Sequence, residues 1–224
     1  MRRGIALEIA LAETLHPEEK VTTFLLIRHG QTIQTESGKL YSDPASTLTD
    51  KGREEAKAIA QWLPGEQPEI IVASPSVRAR ATAEAIGSIV NLPVEIVETL
   101  REWQVGEWEG RSYLEIKKAE PDVYGAWSKD PIRNAPPGGE SIAQLCERAL
   151  GDIDTVRQSY AGKRVVFVSH AELIRALIVN ALGMPIDNFW RLNIPTASVS
   201  KLDLSANFAT LQYMALTPGK NGLS

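Results

Sequence analysis

The chain has 224 residues, of which 43% are hydrophobic and 23% are charged, with a formal net charge of −4. This composition is typical of a soluble globular protein, and the charge argues against nucleic acid or an anionic membrane as a partner. No segment approaches the roughly 20 consecutive apolar residues of a membrane span. The single cysteine, Cys146, excludes an internal disulfide and favours a cytoplasmic location.

The length favours one domain, preceded by a short extension. Residues 1–20 are predicted to be this N-terminal extension, residues 21–218 the domain, and residues 219–224 a tail. The extension is not expected to be a secretory signal, because Glu8 interrupts its apolar stretch and no small-residue cleavage site follows.

Apolar runs typical of buried strands alternate with helical patterns along the domain. The predicted strands are 24–27, 70–73, 94–97, 165–168, 198–204 and 209–216. The predicted helices are 50–63, 76–90, 141–156 and 172–182. This alternation predicts an α/β fold, a three-layer α/β/α sandwich with a mostly parallel central sheet.

Residues 103–140 break the alternation, because they are rich in Trp, Pro and Gly and contain only short helical patterns. We interpret them as a lid segment over one edge of the sheet. Its three tryptophans, Trp103, Trp108 and Trp127, are expected to pack within the lid more than to line a substrate cleft.

Polar residues follow three of the predicted strands. Arg28 and His29 follow the first strand, Ser74 follows the second, and His170 follows the fourth. Active sites in parallel α/β sheets lie beyond the carboxyl ends of the strands. We therefore expect these residues to meet at one edge of the sheet, beneath the lid segment.

The motifs at these positions resemble those of the histidine phosphatase superfamily, also called the phosphoglycerate mutase-like fold, from about Thr23 to Leu216. In chain order they are Arg28-His29-Gly30, Ser74-Pro75-x-x-Arg78-Ala79-x-x-Thr82-Ala83, Leu100-Arg101-Glu102 with Gly106-Glu107-Trp108-Glu109-Gly110, and Val168-Ser169-His170. The resemblance implies the phosphoglycerate mutase-like fold and a phosphoric monoester hydrolase that forms a phosphohistidine.

Transfer of a phosphoryl group needs a nucleophile, cationic donors and an acid for the leaving group. A neutral nitrogen of His29 can attack phosphorus, and the resemblance implies that the Gly30 carbonyl holds the other ring nitrogen. Glu102 can act as the acid that protonates the leaving oxygen and later deprotonates water.

The phosphate oxygens need several positively charged donors. Arg28 and Arg78 present the fork geometry that binds phosphate through two hydrogen bonds. His170, cationic when it faces phosphate, adds a donor and also begins a helix whose positive end favours an anion. The resemblance places these residues, with His29, in the phosphate pocket.

Two positions depart from the family pattern. Many members have an asparagine six residues after the catalytic histidine, and this chain has Thr35, whose hydroxyl can still donate to phosphate. Most members have a glycine after the second histidine, where this chain has Ala171 and then Glu172. Glu172 is expected to turn away or to bind a polar substrate group, and it is the alternative acid. Gln31, Ala171 and Glu172 are the candidate substrate contacts.

The remaining polar residues of the motifs have simpler expected roles. Arg101, Glu107 and Glu109 are expected to form surface salt bridges. Cys146 lies on an apolar helix face and is expected to belong to the core, since nothing near it in sequence activates a thiol.

Phosphatases and cofactor-dependent phosphoglycerate mutases are the main branches of the resembled superfamily. Mutases carry a longer insertion with a neighbouring pair of arginines for the substrate carboxylate, whereas Arg111 and Arg133 stand apart here. We therefore expect a metal-independent phosphatase that uses no cofactor and acts on a small phosphorylated metabolite. A mutase, a non-catalytic phosphate-binding module and a phosphoprotein phosphatase remain alternatives, and the chain is expected to be a monomer or a homodimer.

Overall fold

The computed structural model describes residues 20–219, so the predictions for the N-terminal extension and the tail fall outside the described residues apart from Lys20 and Gly219. Within this part of the chain six strands form one sheet in the order β3-β2-β4-β1-β5-β6. The strands are β1 (Thr22–Arg28), β2 (Ile70–Ala73), β3 (Val94–Ile96), β4 (Arg164–Ser169), β5 (Val199–Leu204) and β6 (Ala209–Leu216).

The first four strands in this order are parallel, and β5 and β6 are antiparallel to their neighbours. The predicted mostly parallel sheet is therefore confirmed. Its hydrophobic runs are buried because helices cover both faces. Alternate residues of β1 and β4 belong to separate hydrophobic clusters on opposite faces of the sheet. The predicted three-layer α/β/α architecture is thus also confirmed.

Seven α-helices are assigned in the described residues. They are α1 (Ile33–Ser37), α2 (Asp50–Trp62), α3 (Val77–Val90), α4 (Tyr113–Ala119), α5 (Pro121–Ser128), α6 (Ile142–Ser159) and α7 (Ala171–Ala181). The four long helices agree with the prediction to within three residues. Within this part of the chain no helix has both the length and the apolar character needed to cross a membrane.

Side-chain caps fix where three of the long helices begin. Thr49 accepts from Gly52 N before α2, Ser76 accepts from Ala79 N before α3, and Ser141 forms a capping box before α6. Each cap satisfies a backbone N–H that has no partner inside the helix. The cap at Ser76 places the first turn of α3 directly after β2, at the edge where the site lies.

The lid segment contains α4, α5 and one turn of 3₁₀ helix (Gly106–Trp108), in keeping with the short helical patterns of its sequence. Trp108 and Trp127 pack edge to face with ring centroids 5.0 Å apart, and Tyr113 and Tyr124 complete the aromatic cluster. The predicted packing role is confirmed for these tryptophans, which are buried. Trp103 is also buried but lines the cavity described below.

Candidate active site

The carboxyl ends of β1, β2 and β4 meet at one edge of the sheet, as predicted. His29 N donates to Ser169 O at 3.0 Å, and Ser74 N donates to Val168 O at 3.0 Å. A cavity of about 220 Å³ opens above this edge. Its lining residues are Arg28, His29, Thr32, Gln34, Thr35, Gly38, Lys39, Leu40, Tyr41, Arg78, Glu102, Trp103, Val105 and Glu172.

His29 is buried with its two ring nitrogens in different surroundings. Nδ1 lies 2.8 Å from the Gly30 carbonyl, which can only accept, so Nδ1 carries the hydrogen. Nε2 then holds the lone pair, and Arg78 Nε donates to it at 3.2 Å. Burial, and then the positive charges of Arg78 and Arg28, hold the pKa of His29 well below its ordinary value. The ring is therefore neutral, with a free electron pair directed at the arginine.

His170 lies fully buried behind the cavity wall, with its ring centroid 5.2 Å from that of His29. Arg78 Nη2 approaches its Nδ1 at 3.3 Å, so Nδ1 accepts and Nε2 donates to the Ser74 hydroxyl at 2.8 Å. Burial and the charge of Arg78 keep the pKa of His170 well below its ordinary value. His170 is thus neutral in the structure, and the predicted cationic form requires an anion beside it.

The two arginines bring positive charge to the histidines. Arg78 is almost fully buried in the first turn of α3. Arg28 Nη1 donates to Ile194 O at 2.7 Å, whereas its buried Nε has no hydrogen-bond partner among residues 20–219. A buried donor without an acceptor costs free energy, and an oxyanion in the cavity would satisfy it. Burial lowers the pKa of both guanidiniums.

Glu102 lies opposite the histidines, with Oε2 3.5 Å from His170 Nδ1. Its Oε1 accepts from Trp103 N at 2.9 Å. Burial, and then the negative charge of Glu172, raise the pKa of Glu102 to about 8. The carboxyl is therefore protonated near neutral pH and can give a proton to a leaving group.

Glu172 faces the cavity and does not turn away. Its Oε1 accepts from Arg175 Nη1 at 2.8 Å, one turn further along α7. Arg175 Nε in turn donates to Leu192 O at 2.8 Å. The carboxylate is thus held on the cavity wall, close enough to Glu102 to raise its pKa.

The other predicted contacts differ in position. Thr35 lines the cavity, but its hydroxyl donates to Thr32 O and accepts from Thr32 N, each at 2.9 Å, and the second bond closes the capping box of α1. Gln31 and Ala171 do not line the cavity: the Gln31 side chain accepts from the Thr49 hydroxyl, and Ala171 is buried in α7. Neither side chain therefore borders the cavity in this structure.

The loop of residues 38–43 was not predicted to belong to the site, but its residues 38–41 form one wall of the cavity. The Tyr41 ring lies 5.4 Å from the Arg78 guanidinium carbon, and Asp43 O accepts from Arg78 Nη1 at 2.7 Å. Glu109 was predicted to form a surface salt bridge, and this is wrong. Its carboxylate accepts hydrogen bonds from Ser42 and Asp43 instead.

His29, Glu102 and His170 also have the donor types of a metal site. One ligand atom from each lies within 4.8 Å of the others, which is close enough to share an ion. Arg78 donates into both histidines at this point. A guanidinium among the ligand atoms repels a cation, so the electrostatics of the cluster favour an anion.

A sequence profile of the histidine phosphatase superfamily (branch 1) matches residues 24–217, which is most of the chain. The chain belongs to this superfamily. The resemblance inferred from the motifs is thereby confirmed, as is the prediction of a phosphomonoester-hydrolysing enzyme.

Proteins similar to this chain include phosphatases of several different substrates. The chain is 37% identical over 177 residues to glucosyl-3-phosphoglycerate phosphatase of Mycolicibacterium vanbaalenii, covering 76% of this chain and 78% of the relative. It is 32% identical over 174 residues to a metal-independent phosphoserine phosphatase of Arabidopsis thaliana, covering 76% and 73%. The crystal structure of alpha-ribazole phosphatase from Shigella flexneri superimposes with a TM-score of 0.80 at 27% identity, covering 86% of this chain and 96% of that one.

Proposed function

We propose that this protein is a metal-independent phosphatase that hydrolyses a small phosphorylated metabolite through a phosphohistidine on His29. The observation that carries the proposal is the neutral, buried His29 ring, whose Nε2 lone pair lies beside the Arg78 guanidinium. Attack on phosphorus needs a free electron pair next to positive charge that holds the phosphate oxygens. The unpartnered Nε of Arg28 supplies a further donor for those oxygens.

The reaction then takes two steps. In the first, His29 Nε2 attacks phosphorus, the P–O bond to the alcohol breaks, and Glu102 gives its proton to the leaving oxygen. In the second, a water molecule gives a proton to the Glu102 carboxylate and attacks phosphorus. The N–P bond breaks, inorganic phosphate leaves, and Glu102 is again protonated.

The arginines of the lid segment argue for hydrolysis and against a mutase, which would transfer the phosphoryl group between two positions of its substrate. Arg111 pairs with Glu120, and Arg133 pairs with Asp130. Neither arginine lines the cavity. This segment therefore places no pair of arginines at the cavity that could hold a substrate carboxylate, as a mutase would need.

The three relatives named above are phosphatases with different substrates, which supports phosphomonoester hydrolysis and leaves the alcohol part open. A non-catalytic binding module would require Thr35 and Glu172 to close the phosphate position. Both residues line a cavity of about 220 Å³, which leaves space for a phosphate group beside them.

The test is hydrolysis of p-nitrophenyl phosphate and of a panel of sugar, glycerate and nucleoside phosphates in the presence of EDTA. We expect turnover by wild type, loss of turnover in His29→Ala, and an acid-labile phosphoryl group on the wild-type protein. Urea unfolding of both proteins checks that the variant is folded. Turnover that requires a divalent metal, or that survives in His29→Ala, would overturn the proposal. Turnover only with 2,3-bisphosphoglycerate and 3-phosphoglycerate would identify a mutase instead.

A further inference from the structure

The lid segment is joined by hydrogen bonds to the loop that borders the phosphate-binding arginine. Gly110 N donates to Leu40 O, and Leu40 N donates to Arg111 O, each at 2.9 Å. This pair of backbone hydrogen bonds holds the beginning of the loop against the lid. Residues 43–45, at the end of the loop and just after it, are exposed, so packing in the core does not fix them.

Hydrogen bonds hold this stretch instead: Val77 N donates to Pro44 O at 2.8 Å, and the Glu109 carboxylate holds the residues before Pro44. The two carboxylate oxygens of Glu109 each accept from Ser42 N at 2.9 Å, and Asp43 N approaches Oε1 at 3.2 Å. The Ser42 hydroxyl donates to the same carboxylate. An ionised acceptor that binds two successive backbone N–H groups fixes the orientation of the peptide between them, and such hydrogen bonds are stronger than neutral ones.

The fixed turn is in contact with Arg78. The carbonyl of Asp43 accepts from Arg78 Nη1 at 2.7 Å, and the Tyr41 ring stacks over the guanidinium. Of the other two nitrogens of Arg78, Nε donates to His29 Nε2 and Nη2 to His170 Nδ1. Because the guanidinium is planar and rigid, holding Nη1 also sets the direction of the other donors.

We propose that Glu109 is a positioning residue that ties the lid segment to phosphate binding through Arg78. It fixes the peptide between Ser42 and Asp43, and the Asp43 carbonyl then orients the guanidinium. Glu109 does not line the cavity, so it acts through Arg78 and touches no substrate. The inference rests on the proposed function, in which Arg78 holds the phosphate oxygens.

If Glu109 only stabilised the lid segment, its loss would have a different effect from the one expected for a positioning residue. Loss of a purely structural contact lowers the free energy of unfolding and leaves the affinity of the folded protein for phosphate unchanged. Loss of a positioning contact weakens phosphate binding in a protein that is still folded. The affinity for inorganic phosphate therefore separates the two roles.

The experiment compares Glu109→Gln with Glu107→Gln, since Glu107 lies two residues away, is exposed, and has no side-chain hydrogen bond or ion pair within the described residues. The quantity measured is the inhibition constant of inorganic phosphate against p-nitrophenyl phosphate. Glutamine keeps one acceptor oxygen and loses the other, together with the charge. We expect the constant to rise about tenfold in Glu109→Gln, the effect of losing about one charged hydrogen bond, and to stay at the wild-type value in Glu107→Gln.

A double-mutant cycle shows whether the effect passes through Arg78. In an Arg78→Lys background the guanidinium is gone, so we expect Glu109→Gln to add less than a twofold further change. Ser42→Ala removes the hydroxyl donor to Glu109 and keeps the backbone donors, so we expect a smaller rise in the inhibition constant of inorganic phosphate than in Glu109→Gln. This variant also tests the proposal if Glu109→Gln does not fold.

Equal phosphate inhibition in Glu109→Gln, Ser42→Ala and wild type would overturn the positioning role, as would full additivity with Arg78→Lys. Failure of the proposed function would look different. Wild type itself would then neither hydrolyse p-nitrophenyl phosphate nor bind inorganic phosphate, and both proposals would fall.

Discussion

The proposed mechanism depends most on the protonation state of the Glu102 carboxyl group. Its pKa is raised to about 8, first by burial and then by the charge of Glu172. A group with a raised pKa is protonated below that value and loses its proton as the pH rises through it. We therefore expect kcat/KM to fall as the pH rises through about 8, because the acid for the leaving group is then lost.

Glu102→Gln removes the proton while keeping an oxygen that can accept from Trp103 N. For alkyl phosphates we expect release of the alcohol in the first turnover to slow by about 10²–10⁴-fold. The p-nitrophenolate leaving group needs little protonation, so its release in the first turnover slows much less, whereas steady-state turnover of both substrates falls because Glu102 also takes the proton of water in the second step. Single-turnover kinetics on both substrates check this, and equally slowed release of both alcohols would show that Glu102 is not the acid.

The companion variant Glu172→Gln tests the cause of the raised pKa. Removal of the neighbouring anion lowers the pKa of Glu102, so the fall in kcat/KM moves to lower pH. Unchanged kinetics and an unchanged pH profile in this variant would remove Glu172 from the site.

At the scale of elements, the first turn of α2 packs backbone to backbone against the loop that carries His29. A Cβ at Gly52 would lie 2.1 Å from Gln31 O, and a Cβ at Gly30 would lie 2.3 Å from Gly52 O. We expect Gly52→Ala to lower the free energy of unfolding by about 1–3 kcal/mol, because backbone atoms cannot move aside without cost. It should also lower kcat, since the loop that positions His29 must shift.

Gly151→Ala is the matched control for this substitution. A Cβ there meets nothing within 4 Å, and the residue lies inside α6, where alanine stabilises a helix by about 0.5–1 kcal/mol relative to glycine. Urea unfolding and kcat of both variants are the measurements. If Gly52→Ala proved as stable and active as Gly151→Ala, the close packing of α2 on the catalytic loop would not limit the site.

The elements that the sequence predicts well have local signals. The run 24–27 is uniformly apolar because helices cover both faces of β1, and Ser76 marks the start of α3 by its own cap. The five-residue helix α1 was missed because it is too short for an apolar period and none of its residues is described as buried. Strands and long helices were thus easier to predict from the sequence than a short helix in a loop beside the site.

The residues of the candidate site also divide into those that have a local sequence signal and those that only tertiary contacts place there. The structure places Arg28, His29, Arg78, Glu102 and His170 close together, and each of them follows a strand or lies in a recognisable motif. Contacts of the loop at 38–43 and of Glu109 exist only through tertiary structure, since 66 and 67 positions separate Glu109 from its partners. Nothing local in the sequence distinguishes such a carboxylate from one on the surface.

For the molecule as a whole, the lid segment shares one hydrophobic core with one face of the central sheet. Trp103, Trp108 and Trp127 belong to the same cluster as Phe24 and Phe167 in the sheet. The other face of the sheet has a second cluster, against which Trp62 packs. Neighbouring residues of one strand take part in both clusters, so neither can be lost without disturbing the sheet between them.

We therefore expect the lid and the sheet to unfold together. Tryptophan fluorescence, which reports mainly on the lid side, and circular dichroism at 222 nm, which reports on all helices, should give coincident transitions in urea. Inorganic phosphate at about 100 times its dissociation constant should stabilise the folded state by about 2.7 kcal/mol and shift both transitions equally. A fluorescence transition that comes first, or that alone responds to phosphate, would show a lid that opens independently, and residues 103–140 would then control access to His29 as a separate unit.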